Sequence, residues 1–155
     1  MISKTEAHQY YFEVQLNRKE GRIGTLSAKN VKGTIEVATP PEFAGGVPDK
    51  WSPEHLFLSS LCGCLMTTFL AIAEKKHLTV CDFECSSIGQ VRLYEGHLEF
   101  TTIDLFPKIY VETEADIPAA NEILLKTYKH CIIANSIKPL LVHHGEVLLS
   151  KEQVA

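Results

Sequence analysis

The chain has 155 residues, 45% of them hydrophobic and 22% charged, with a formal net charge of −4 and a pI of about 6.0. That length supports one ordinary domain with a sizeable buried core, and the composition excludes a disordered chain. The acidic balance, with no long basic run, excludes a nucleic-acid footprint.

The first residues, Met1-Ile2-Ser3-Lys4-Thr5-Glu6, carry no apolar h-region, so no signal peptide and a cytoplasmic location are expected. Residues 10–16 alternate, with Tyr10, Phe12, Val14 and Leu16 on one face and Tyr11, Glu13 and Gln15 on the other, which predicts a half-buried strand. Asn17-Arg18-Lys19-Glu20-Gly21 reads as a polar turn. Residues 22–28 follow as a second strand and 33–38 as a third, with Ile35 and Val37 inward. Prolines and glycines make 39–48 a loop.

Ser52-Pro53-Glu54 is a helix start, with serine at the N-cap, proline at the first helical position and an acid in the first turn. The helix is predicted to run to about Lys76. It is apolar nearly all round from Leu56 to Ala73, which predicts burial on most sides, more than a two-layer monomer provides and what a dimer would cover. Ser59, Ser60, Cys62, Gly63, Thr67 and Thr68 interrupt that stretch, which reads as too polar and too short for a bilayer span, so no membrane partner is expected.

Cys81, Phe83 and Cys85 alternate with Asp82 and Glu84, making 80–86 a strand. Residues 91–114 read as strands around a Glu95-Gly96 turn, with Pro107 marking a bulge or an edge. A second helix follows Asp116-Ile117-Pro118, carries Ile123, Leu124, Tyr128 and Cys131 at helical spacing, and fades near Asn135. Residues 145–149 close the chain as a strand. The order predicts an α+β fold, a single domain over residues 1–155 without repeats.

The five cysteines are Cys62, Cys64, Cys81, Cys85 and Cys131. An odd count without a leader points to free thiols in a reducing compartment. Cys81 and Cys85 share a strand face with Phe83 and read as core cysteines. Cys62 and Cys64 stand about 200° apart around a helix, so they can neither bridge locally nor jointly grip a metal. The spacing is not a zinc pattern even with His143 and His144, which read as a strand start with one ring inward and one outward. No metal or cofactor is expected. Cys64 by itself reads either as packing or as a nucleophile. A mid-helix thiol gains little from the helix dipole, so a nucleophile there needs another source of positive charge, of which arginine is the natural one.

Ser52-Pro53-Glu54-His55-Leu56-Phe57 followed by Leu61-Cys62-Gly63-Cys64-Leu65 resembles the pattern of the osmotically inducible protein C / organic hydroperoxide resistance (OsmC/Ohr-like) family, and His130-Cys131-Ile132-Ile133-Ala134-Asn135-Ser136 resembles its second-cysteine segment. Two positions depart from that pattern: Ile132 stands where a proline is usual, and Cys62 where a small residue is. The resemblance covers nearly the whole chain. It implies antiparallel sheets packed around a long central helix in an intertwined homodimer. It further implies a thiol peroxidase reducing organic hydroperoxides or hydrogen peroxide, with Cys64 attacking and Cys131 resolving the sulfenic acid as a Cys64–Cys131 disulfide. A dithiol reductant of lipoyl type would restore the thiols. Glu54 matches the acid that orients an arginine. Arg22, in Gly21-Arg22-Ile23-Gly24, matches that arginine, with Arg18 as its competitor. A rival reading is a redox-silent protein of the same fold that binds a small apolar ligand.

Helix arithmetic adds one expectation to those roles. Glu54 and Cys64 would lie about 15 Å apart along one helix and point roughly 80° apart around it. One arginine then meets both only if Glu54 comes from a second copy of the chain, as in a two-fold dimer with two shared sites.

Overall fold

The structure, a computed structural model, describes residues 8–151; the hexapeptide from which the lack of a leader was read lies outside them. The chain divides into two compact units, Met1–His55 and Leu56–Ala155.

In the first unit, β1 (Val14–Glu20), β2 (Ile23–Ala28) and β3 (Ile35–Ala38) form an antiparallel meander in that order. β1 starts later than the alternation at 10–16 predicts and runs through the polar stretch predicted as a turn. The reversal waits for Gly21, whose φ of +48° is accessible to a residue without a Cβ. Arg18 and Glu20 instead pair with Gly24 and Ile23. Tyr10, Phe12, Val14 and Leu16 are all exposed in the chain, so the alternation marks an edge strand and not a half-buried one. Val37 is buried as expected. Ile35, at the open end of the ladder opposite Leu26, is exposed.

Helix α1 (Pro53–Lys75) begins where the sequence places it. Ser52 is buried, and its Oγ accepts the His55 N–H at 3.2 Å. The Ser52 N–H in turn donates to His55 Nδ1 at 3.2 Å. His55 thereby takes the part that Glu or Gln plays in a capping box, satisfying the N-cap donor from the third helical position. Ser52→Ala is expected to destabilise the protein by about 1 kcal/mol, read as a lower urea midpoint at unchanged slope.

In the second unit, β4 (Val80–Tyr94) and β5 (His97–Val111) form a long antiparallel hairpin. Its turn is Glu95-Gly96, both at positive φ, the conformation that two-residue hairpin loops require. After a 3₁₀ turn at Glu114–Asp116 come α2 (Ile117–His130) and the single turn α3 (Ile132–Asn135). β6 (Leu140–His143), not foreseen from the sequence, pairs parallel with residues 102–105 of β5; β7 (Glu146–Leu149) pairs parallel with residues 108–111. Pro107 marks neither a bulge nor a sheet edge. It lies inside the central strand, opposite Cys85 of β4 and between the stretches that pair with β6 and β7, where no ladder hydrogen bond is asked of it. His143 ends β6 and His144 follows it, so the pair closes a strand instead of starting one.

One stripe of α1, Leu61, Leu65, Phe69 and Ala73, is buried. Phe69 and Ala73 join Ile109, Val111, Ala120, Ile123 and Leu124 in one core cluster; Leu61 and Leu65 join Ile103, Leu105 and Cys131 in another. The expected burial on most sides is not found within one chain: Met66 and Leu70 remain 38% and 39% exposed. The helix ends close to where the sequence places it, but the reading of its apolar stretch as too polar and too short is overturned: with a mean hydropathy of 2.0 over its most apolar window, it is long and apolar enough to cross a membrane by length and composition. Its buried stripe is occupied in packing on β5 and α2.

Candidate active site

Cys131 is not a helical residue. It sits at the break between α2 and α3 in an extended conformation, φ −66° and ψ 112°, capping the end of one helix and the start of the next. Its own N–H still closes α2 on Thr127 O at 2.9 Å. The break leaves the first N–H groups of α3 without intrahelical acceptors, and those of Ile132 and Ile133 favour a charge on the Cys64 sulfur. Cys131 is fully buried beside Leu61 and Leu65 of α1, and Cys64 of the same helix packs against that cluster.

The two thiols are thereby made unequal. Burial raises the Cys64 pKa, but hydrogen bonds from the Cys131 thiol, the Ile133 N–H, the Thr68 hydroxyl and the Ile132 N–H outweigh it, and the net shift is downward. Thr68 Oγ1 lies 3.9 Å from Cys64 Sγ. Burial, together with the bond to Cys64, pushes Cys131 up to about 11. The two shifts run in opposite directions, so Cys64 is the readier of the two thiols to ionise, the asymmetry that a nucleophile and a resolving thiol need. Phe57 and Phe100, with ring centroids 5.1 Å apart, and Ile133 line the same cluster with apolar surface.

The other thiols differ from their sequence reading. Cys81 is exposed and not core, because the β4–β5 register shifts between Val80 and Asp82 and the bulge turns Cys81 out of the alternation. Cys85 is half-buried on the same strand face as Ser87. Cys62 Sγ donates to Ser87 Oγ at 3.4 Å. Cys62 and Cys64 therefore serve opposite sides of α1, as their spacing predicts.

Arg22, Arg18 and Glu54 belong to the first unit. Arg22 Nη1 donates to Ala44 O at 2.6 Å, and its guanidinium lies against Gly45, where an added Cβ would stand 3.1 Å from Arg22 Cζ. Arg18 Nε folds back onto Gly21 O at 2.9 Å. Both arginines line one cavity of about 290 Å³ with Leu16, Ile23, Val37 and Pro53. Glu54 Oε2 is buried and has no hydrogen-bond partner among the described residues. No group of three or more His, Cys, Asp or Glu side chains among the described residues is placed to hold a metal.

Residues 46–142 match the family described as OsmC-like protein. The chain belongs to that family. The matched OsmC-like region contains Glu54, Cys64 and Cys131, whereas Arg22 precedes it. Among curated proteins, the uncharacterized protein MJ0573 of Methanocaldococcus jannaschii is 30% identical over 95 residues, covering 60% of this chain and 48% of that one. The OsmC-like chain thus spans about half the length of the curated relative it matches. Among solved structures, an OsmC-like protein of unknown function, VCA0330 from Vibrio cholerae, superposes with a TM-score of 0.78 at 19% identity, covering 90% of this chain and 99% of that one. An organic hydroperoxide resistance protein from Elizabethkingia anophelis gives a TM-score of 0.69 at 18% identity, covering 92% and 97%. The organic hydroperoxide resistance protein OhrB of Bacillus subtilis gives 0.64 at 16% identity, covering 89% and 98%. At these identities the likeness establishes the OsmC fold.

Proposed function

We propose that this OsmC-like protein is a thiol peroxidase that reduces organic hydroperoxides through Cys64 and Cys131. The observation that carries the reading is the placement of the two thiols at one core cluster with opposite shifts, Cys64 lowered and Cys131, fully buried, raised. The Cys64 thiolate attacks the terminal oxygen of ROOH. The O–O bond breaks, ROH leaves with a proton, and Cys64 becomes a sulfenic acid. Cys131 sulfur then displaces that hydroxyl as water, and the disulfide awaits an external dithiol, for which a lipoyl-type compound is the proposed reductant. The aromatic and aliphatic walls at Phe57, Phe100 and Ile133 favour a peroxide with an organic tail over hydrogen peroxide.

In this reading the protein acts as a homodimer. Two features support it: the exposed Met66–Leu70 face of α1 and the buried, unpartnered Glu54 Oε2. Arg22, oriented by Glu54, is the cation assigned to the Cys64 thiolate, and Arg18 is the control. The test is peptide mapping after one equivalent of an organic hydroperoxide. A Cys64–Cys131 bridge is expected in the native protein. Cys131→Ser should complete one turnover and then stop, with Cys64 over-oxidised. Continued turnover by Cys131→Ser, or no reaction of any thiol with peroxide, would leave a ligand-binding protein of the same fold as the better account.

A further inference from the structure

The chemistry at Cys64 leaves Cys62 without a task, yet its surroundings are as specific. On the β4 face that α1 covers, Phe83, Cys85, Ser87 and Gly89 follow one another, each half-buried between exposed neighbours. Three contacts fix the register of the helix over them. Phe69 packs on Phe83 with ring centroids 5.7 Å apart. Ser87 Oγ donates to Leu58 O at 3.5 Å. A Cβ at Gly89 would stand 2.9 Å from Leu58 Cδ2. Between Leu58 and Phe69, the Cys62 sulfur comes down on Ser87 Oγ at 3.4 Å, next to Cys85, the preceding residue on the same strand face.

We propose that Cys62 and Cys85 form a second dithiol, oxidised by hydroperoxides to a disulfide that ties α1 to β4, on the side of α1 opposite the Cys64–Cys131 pair. The neighbouring Cys85 thiol lowers the Cys62 thiol to about 6 against the opposing effect of burial. The Cys62 thiol, with burial, pushes Cys85 up. Cys62 is thus the readier of the two to ionise.

A second feature lies beside Cys85. The Tyr128 hydroxyl is buried without a hydrogen-bond partner among the described residues, and its ring packs on the same cluster as Cys85. Burial above all holds it up to about 12, so it keeps its proton. Cys62 thiolate attacks ROOH, ROH departs with a proton, and Cys62 sulfenic acid condenses with the Cys85 thiol, releasing water. Two thiols lose two electrons to the peroxide. None of this needs Cys64, because the two pairs stand on opposite sides of the helix.

The experiment uses the full-length Cys64→Ser/Cys131→Ser variant, which keeps Cys62, Cys81 and Cys85, treated with tert-butyl hydroperoxide. Thiol titration after denaturation is expected to fall from three to one per chain, and non-reducing peptide maps to show a Cys62–Cys85 bridge. Three surviving thiols, or a bridge to Cys81, overturn the proposal. Because two substitutions in one core can unfold it, the unmutated protein supplies a second measurement. Under limiting iodoacetamide at pH 7, half-buried Cys62 should be alkylated faster than exposed Cys81, since the thiolate is the reacting form. Slower alkylation of Cys62 than of Cys81 overturns the proposal equally. Neither measurement depends on the Cys64–Cys131 peroxidase reading, so the two can fail separately.

Discussion

Replacing Cys64 with serine is expected to reduce hydroperoxide turnover by about 10³-fold or more, as loss of a covalent nucleophile does in general. The donors that favour a charge at this position, the Ile133 and Ile132 N–H groups, the Thr68 hydroxyl and the Cys131 thiol, remain in the variant, but a serine hydroxyl stays protonated among them. Steady-state turnover with an organic hydroperoxide and a dithiol checks this. The same physics sets the pH profile. The reacting species is the thiolate, so the single-turnover rate rises as pH passes upward through the Cys64 pKa and flattens above it. Since that pKa is lowered in the folded protein, the rise should lie below the range of an ordinary free thiol. Thr68→Val, which removes one donor, should move it upward. Full activity in Cys64→Ser together with loss in Cys62→Ser would transfer the peroxidase chemistry to the second thiol pair.

What the sequence disclosed depended on whether the governing interaction was local. The start of α1 was legible because Ser52, Pro53 and His55 settle it among themselves. The hairpin was legible because Glu95-Gly96 supplies two positive-φ residues. β1 was misplaced because the polar run before Gly21 looks like a turn, while the reversal is set by one glycine and by pairing with β2. Pro107 was misread because its tolerance depends on where β6 and β7 attach to β5. The bulge that exposes Cys81 is likewise a property of the β4–β5 register. At the site, the helical spacing of Leu124, Tyr128 and Cys131 hid the break. Lys129 and His130 in the last turn of α2 are the stop signal that would have placed it. That break matters chemically, since it frees the N–H groups that meet Cys64. The pairing of Cys64 with Cys131 came from family resemblance and not from spacing, because helix periodicity says nothing about residues so far apart in the chain. The opposed directions of Cys62 and Cys64, by contrast, followed from helix geometry alone.

The other large effect expected is complementation between inactive subunits. α1 is continuous from Pro53 to Lys75, so Glu54 and Cys64 are separated along one helix by about 15 Å. That span is too long for a single guanidinium to bridge. Glu54 nevertheless carries a buried oxygen with no partner among the described residues, and an unpaired buried carboxylate oxygen is costly to keep. A two-fold dimer in which α1 covers α1 through Met66 and Leu70 would bring Glu54 of one copy towards Cys64 of the other, twice over. Glu54→Ala and Cys64→Ser subunits, each inactive alone, should then recover activity when unfolded together at equal amounts and refolded. A random mixture contains heterodimers as half of its dimers, each with one intact site of two, so about one quarter of native activity is expected. Sites built within one chain would recover none. Size-exclusion chromatography with light scattering should find the native protein dimeric, and a monomer fully active at nanomolar concentration would end the shared-site reading whatever the mixing experiment returned.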